Sequence, residues 1–175
     1  MSSLSRWVCT HAITAMALTL WAAVVQAQSD PDLKAVSTTT LTMPKYKQYL
    51  DASVNLATVA AKNPGIGEDM KGSGEKSIAA QIKALEGNPQ IRGAINSAGL
   101  TTRDYVLTQW ALIQTGMAYA MTKGSGVSQE EVVKKAGVSK ANLDFYAKNE
   151  AEITRLGKEA ETRTPKVQED EDSGE

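Results

Sequence analysis

The stretch YVLTQWALIQTGMAYAM, residues 105–121, runs for seventeen positions without a charged side chain. Apart from its aromatic residues, its polar groups are Thr108, Gln109, Gln114 and Thr115. Lys123 and Gly124 then follow as a basic last turn and a terminating glycine. Seventeen residues interrupted by Gly116 are too short for a membrane span, which needs about 20 apolar residues in succession. A helix apolar on nearly every side is instead buried among other helices. The stretch therefore predicts a central helix over about 102–123 in an all-α domain.

Upstream, helical pattern begins near Pro44, where Tyr46, Tyr49, Leu50, Val54, Ala57, Ala60 and Ala61 recur at three- and four-residue steps. That face ends at Asn63-Pro64-Gly65, and residues 65–74 hold four glycines and read as a mobile loop. A second helix is expected over about 75–86, capped by Ser73 or the glycines around it, with Ile78, Ile82 and Leu85 inward. Asn88 and Pro89 supply an N-cap and a first-turn proline for a short helix carrying Ile91, Ala94, Ile95 and Ala98. Thr101 and Asp104 stand three apart as a capping pair for the central helix.

Downstream, Ser128 and Glu131 repeat that arrangement, with Val127 placed to close on Val132, and predict a helix to Ala136. A last helix is expected over 140–161 with Leu143, Tyr146, Ile153, Leu156 and Ala160 inward, its seam weakened at Asn149 and Glu150. No segment alternates convincingly with period two, so no sheet is needed. The expected architecture is a compact bundle of five or six helices over 42–161.

The ends set the chemistry. Arg6, an apolar run over residues 7–25 and the small residues Val25 and Ala27 have the layout of a signal peptide cleaved after Ala27. His11 and Cys9, the only histidine and the only cysteine, both lie in that leader. A chain beginning at Gln28 therefore has no thiol chemistry, no disulfide, no imidazole base and no thiolate or imidazole metal site. It carries eighteen basic and twenty acidic residues, a balance that does not suit nucleic acid. Residues 28–41 read as an extended linker and 162–175 as a disordered acidic tail.

VVKKAGVSKANL, residues 132–143, resembles the helix-turn-helix of the lactose-repressor class of DNA-binding domains; the resemblance spans about twenty residues. It implies a groove-facing helix carrying Lys140, Asn142 and Tyr146, but a slightly acidic exported chain has no access to DNA, so the corner is expected to be a packing device. Ser73 and Lys76 have the spacing of the nucleophile motif of serine penicillin-binding enzymes, without the companion Lys-Thr-Gly strand. Ala98-Gly99-Leu100-Thr101 and Ala136-Gly137-Val138-Ser139 share one punctuation, which a tight helix corner demands in any case.

Tyr46, Tyr49, Tyr105, Trp110, Met117 and Tyr119 are the candidate ligand-binding residues, because methionine and aromatic side chains together make adaptable apolar faces. The expectation is a periplasmic or secreted, non-enzymatic binding or accessory protein. Its partner is another protein or an apolar small molecule, and no cofactor, metal or catalytic residue is assigned. After leader removal no stable membrane insertion is expected. The alternative is a small carboxylate-dependent hydrolase of cell-wall or other polysaccharide, for which Glu68, Glu75, Glu86 and Asp104 lie near helix ends where capping already explains them. Intact-mass analysis of the exported protein should give a chain beginning at Gln28 that takes up no thiol reagent. A mass that retains residues 1–27 contradicts this.

Overall fold

The structure, a computed structural model, describes residues 30–63, 65–66, 77–124 and 127–165. The expected leader, most of the glycine-rich loop with Ser73 and Lys76, and the acidic tail from residue 166 lie outside the described residues. Seven helices are described and no strand among them: α1 Asp30–Thr38, α2 Met43–Lys62, α3 Ile78–Gly87, α4 Pro89–Asn96, α5 Thr102–Gly124, α6 Gln129–Ala136 and α7 Lys140–Arg163.

Polar residues at the corners explain most of these limits. Thr42, Ser77, Ser128 and Ser139 each accept a backbone N–H three residues on, and Asn88 Oδ1 accepts from both Gln90 and Ile91. Thr101 Oγ1 accepts the Asp104 N–H at 3.0 Å while donating to Asp104 Oδ2 at 2.6 Å, so one hydroxyl both caps α5 and fixes the carboxylate at its positive end. Gly99 and Gly137 close α4 and α6 with φ of 83° and 65°, backbone that a side chain adopts only with strain. At Gly99 a Cβ would also stand 2.8 Å from Gln48 Nε2.

The central helix is where the uncharged stretch placed it. α5 packs against each of the other six described helices. Residues Tyr105, Val106, Leu107 and Thr108 are all buried, and four consecutive residues at about 100° each encircle the helix. The larger core gathers α1 to α4 around the first half of α5 and includes Val36, Leu56, Ile78, Ile91, Ile95 and Val106. A smaller one joins Ala118 of α5 to Val132, Val138 and Leu143.

Three expectations are corrected. Residues 30–38 form a helix rather than a stretch of extended linker, because Val36 and Leu41 are drawn into the core at 1% and 4% exposure. Their serine and threonine neighbours satisfy the last turn: Ser37 and Thr38 donate to Lys34 O, and Thr39 donates to Ala35 O. On α2 the buried face is Tyr46, Ala52 and Leu56, with Tyr49 and Val59 packed beside it, while Ala61 is exposed. Ala52 and Leu56 went unrecognised because the alanines at 57, 60 and 61 gave an equally regular pattern on a neighbouring face. Ile66 also packs into the larger core, within the segment expected to be a mobile loop.

Asn142 ties the two ends of the fold together. It is 2% exposed; its Nδ2 donates to Thr39 O at 2.8 Å and its Oδ1 accepts the Leu41 N–H at 2.9 Å. One carboxamide thus acts as a peptide unit for the extended link between α1 and α2, about a hundred residues away in the chain. The same position shows why the helix-turn-helix resemblance stops at the corner: Asn142 faces the interior. Thr108 and Thr115 of α5, both 0% exposed, have hydroxyls with no partner. In urea unfolding, Asn142→Ala should cost about 3 kcal/mol, since it leaves a buried N–H and C=O unpaired, while Thr115→Val should stabilise by about 1 kcal/mol by removing an orphan hydroxyl at constant shape. Equal effects of the two substitutions would contradict this assignment.

Candidate functional site

The six candidate residues do not gather into one surface. Tyr46 is 6% exposed and its hydroxyl donates to Ile153 O at 3.0 Å, pinning α2 to α7. Tyr49 and Tyr105 stack with centroids 5.3 Å apart and planes 24° from parallel, joining α2 to α5. Ser53 Oγ donates to Tyr49 O at 2.9 Å and so receives the Tyr105 hydroxyl at 3.3 Å. Trp110 packs against the larger core and its indole N–H donates to the buried Gln81 Oε1 at 2.9 Å, joining α5 to α3.

Tyr119 belongs to a different cluster, between the end of α5 and the middle of α7. Its hydroxyl donates to Glu150 Oε2 at 3.0 Å, Lys123 Nζ donates to Glu150 Oε1 at 2.9 Å, and its ring lies 5.2 Å from that of Tyr146. Lys123 also sits 5.3 Å above the Tyr119 ring. Hydrogen bonds from Lys123 and then Tyr119 hold the Glu150 carboxyl below its usual range, and Glu150 in turn raises Lys123. The pair at 149 and 150 is therefore not a weak point of the α7 seam, since Glu150 fastens α7 to α5 and Asn149 back-bonds to Phe145 O.

Met117 is the candidate that remains open to solvent, at 39% exposure, and it is joined by Ile113 at 45%. With the half-buried Trp110 and the exposed Ala120 they follow steps of three, four and three residues, which places all four on one side of α5. This face carries no charge. Ile113 was missed because sequence reading sought aromatic and methionine residues. The signal that could have found it was the spacing from Trp110 to Met117 inside an uncharged helix.

The open depressions lined by described residues include these two. One lies at the junction of α2 and α4, near Lys62, Ile66 and Asn88; the other, of about 330 Å3, lies between α2 and α7. Neither touches the Ile113 and Met117 face. Among the described residues no group of three or more His, Cys, Asp or Glu is arranged to hold a metal ion, and no helix is long and apolar enough to cross a membrane. Asp32 Oδ2 is buried without a hydrogen-bond partner. Comparison with known proteins returns no match to a family model, a curated protein or a solved structure.

The stacked tyrosines make a pH-dependent joint. Burial raises Tyr105, and burial followed by the neighbouring Tyr105 phenol pushes Tyr49 from 10.0 up to about 12, with Ser53 opposing. A raised folded value means that the neutral phenol is favoured in the fold. Its contribution is complete below pH 10 and is lost as pH rises from 10 towards 12. Tyr49→Phe should flatten that alkaline loss of stability while the parent protein shows it in full. A Tyr49 that ionises near pH 10 in the folded chain, followed by ultraviolet absorbance, would contradict the joint.

Proposed function

We propose that this chain is an exported, non-enzymatic binding or accessory protein that docks an apolar protein surface, a helix face in particular, against Trp110, Ile113, Met117 and Ala120 of α5. The observation that carries the reading is the pair Ile113 and Met117. They are the large apolar side chains left exposed among the described residues, and they sit four apart on the helix whose other sides form the core.

Shape and charge favour a protein partner over a small molecule. An apolar ligand of drug size needs a concavity that encloses most of its surface, whereas the exposed side of a helix is convex. A second helix fits such a surface through side chains at three- and four-residue spacing. Met117 adds a thioether that repacks against partners of different shape. The face offers no charge for an ionic ligand to read.

Carboxylate catalysis is less well supported. Glu150 and Glu152 are both held below the usual carboxyl range by hydrogen-bonded partners, Lys123 and Tyr119 for the first and Arg155 for the second. A general acid in glycoside hydrolysis requires the opposite displacement. Export rests on the leader layout over residues 1–27 and on that alone.

A photoreactive residue in place of Ala120 should give a discrete adduct in producing cells, and the adduct should disappear when Ile113→Lys and Met117→Lys are added. A photoreactive residue at the exposed Lys158 of α7 should not give it. The same adduct from both positions, or none from position 120, refutes the docking face.

A further inference from the structure

Residues 28–175 contain neither cysteine nor histidine, so methionine supplies their only sulfur. A thioether takes up one oxygen from a peroxide, and an exposed thioether does so more readily than a covered one. Three methionines lie among the described residues, and the fold treats them differently. Met121 packs against the smaller core and Met43 is partly covered in the first turn of α2, whereas Met117 is 39% exposed. Met70 lies outside the described residues.

Position decides what the added oxygen does. Met117 stands one turn after Ile113 and one turn before Ala120, in the middle of the apolar side of α5. Its side chain reaches water in the free protein, so a sulfoxide oxygen there keeps its hydration, and the core around the neighbouring Ala118, 0% exposed, is left as it was. A partner that covers the face must strip that hydration and offers apolar surface in return. A polar group buried without a hydrogen bond weakens such a contact by roughly tenfold or more in affinity.

We propose that Met117 is an oxidation site through which hydrogen peroxide releases the partner from α5. A sulfur lone pair attacks one peroxide oxygen; the S–O bond forms as the O–O bond breaks, and the other oxygen leaves as water after proton transfer. Sulfur loses two electrons and the peroxide gains them. Reduction by a dithiol, catalysed by a methionine sulfoxide reductase, returns the oxygen as water and leaves the dithiol as a disulfide. The effect on docking rests on the function proposed above, whereas the order of oxidation rests on exposure alone.

Two measurements keep these apart. Limited treatment of the full chain with hydrogen peroxide, followed by peptide mass spectrometry, should add one oxygen to Met117 several-fold faster than to Met43 or Met121. In producing cells, a peroxide pulse should lower the adduct from a photoreactive residue at position 120 by about tenfold. Whatever level of adduct Met117→Leu gives before the pulse should be the same after it, because leucine has no sulfur to oxidise. Met117→Gln should lower the adduct without peroxide, in a chain whose circular dichroism matches that of the parent. Oxidation of Met43 or Met121 as fast as Met117, an adduct that survives oxidation of Met117, or one lost equally from Met117→Leu overturns the proposal and leaves the docking face standing. No adduct from untreated cells refutes the docking face, and the release with it.

Discussion

A helix with no charge between Asp104 and Lys123 governs the arrangement of everything around it. Its backbone is satisfied within the helix, so burial is opposed only by its side-chain polar groups, and these are few. Each large apolar side chain removed from water contributes on the order of 1.5–3 kcal/mol, and the first half of α5 is buried around its full circumference. No single neighbour covers such a helix. The six others each take part of its surface, and short helices such as α4 and α6, eight residues each, are held by that packing rather than by intrinsic propensity. The orphan hydroxyls of Thr108 and Thr115 are the visible penalty of burying a sequence that is merely uncharged instead of wholly apolar.

Covering α5 does not by itself fix how the ends of the chain meet, and Asn142 supplies that information. The link at Thr39 and Leu41 presents one acceptor and one donor, so its partner must offer both. A carboxamide does; a carboxylate offers acceptors only. The same requirement takes Asn142 away from the groove-facing role that the DNA-binding resemblance implies for it. A recognition helix needs its polar side chains in the groove, whereas here the asparagine of that helix is drawn inward, and Tyr146 turns towards Tyr119. At that corner Gly137 ends α6 in left-handed backbone and Ser139 caps α7.

Helix ends were the most legible part of the sequence because each is set by a local bond, although α3 begins at Ile78 with Ser77 as its cap, not near residue 75 under Ser73. Asn88, Thr101, Ser128 and Ser139 cap where their spacing to the next helix predicted, and Gly99 and Gly137 take the left-handed backbone. Helix faces were less legible where alanine dominates. On α2 the small side chains at 57, 60 and 61 mark a face as regularly as Ala52 and Leu56 do, and only the neighbours present in three dimensions choose between them. α1 was missed for a related reason: its serines and threonines satisfy their own helix end, so a polar composition conceals two deeply buried residues. The candidate site suffered most. Tyrosine and tryptophan suit binding because they combine an apolar body with a polar tip, and the same combination suits a buried joint between helices. Sequence does not distinguish the two uses. Tyr46, Tyr105 and Trp110 each found an internal partner for their polar tip.

Two surfaces remain, and their physics differs in a way that separates them. The side of α5 at Ile113 and Met117 offers apolar area alone, and salts excluded from protein surfaces strengthen such contacts. The groove between α2 and α7 carries arginines paired with carboxylates over leucine, and salt screens those pairs. Ligand identity need not be known for this contrast to be useful, because the sign of the salt dependence follows from the surface rather than from the partner. A partner docked on α5 as proposed should gain affinity as sulfate is added, whereas salt loosens the ion pairs that line the groove. Because α2 and α7 both pack on α5, substitutions in the shared core disturb both surfaces together, and only changes at exposed positions such as Met117 or Lys47 keep the two responses distinct.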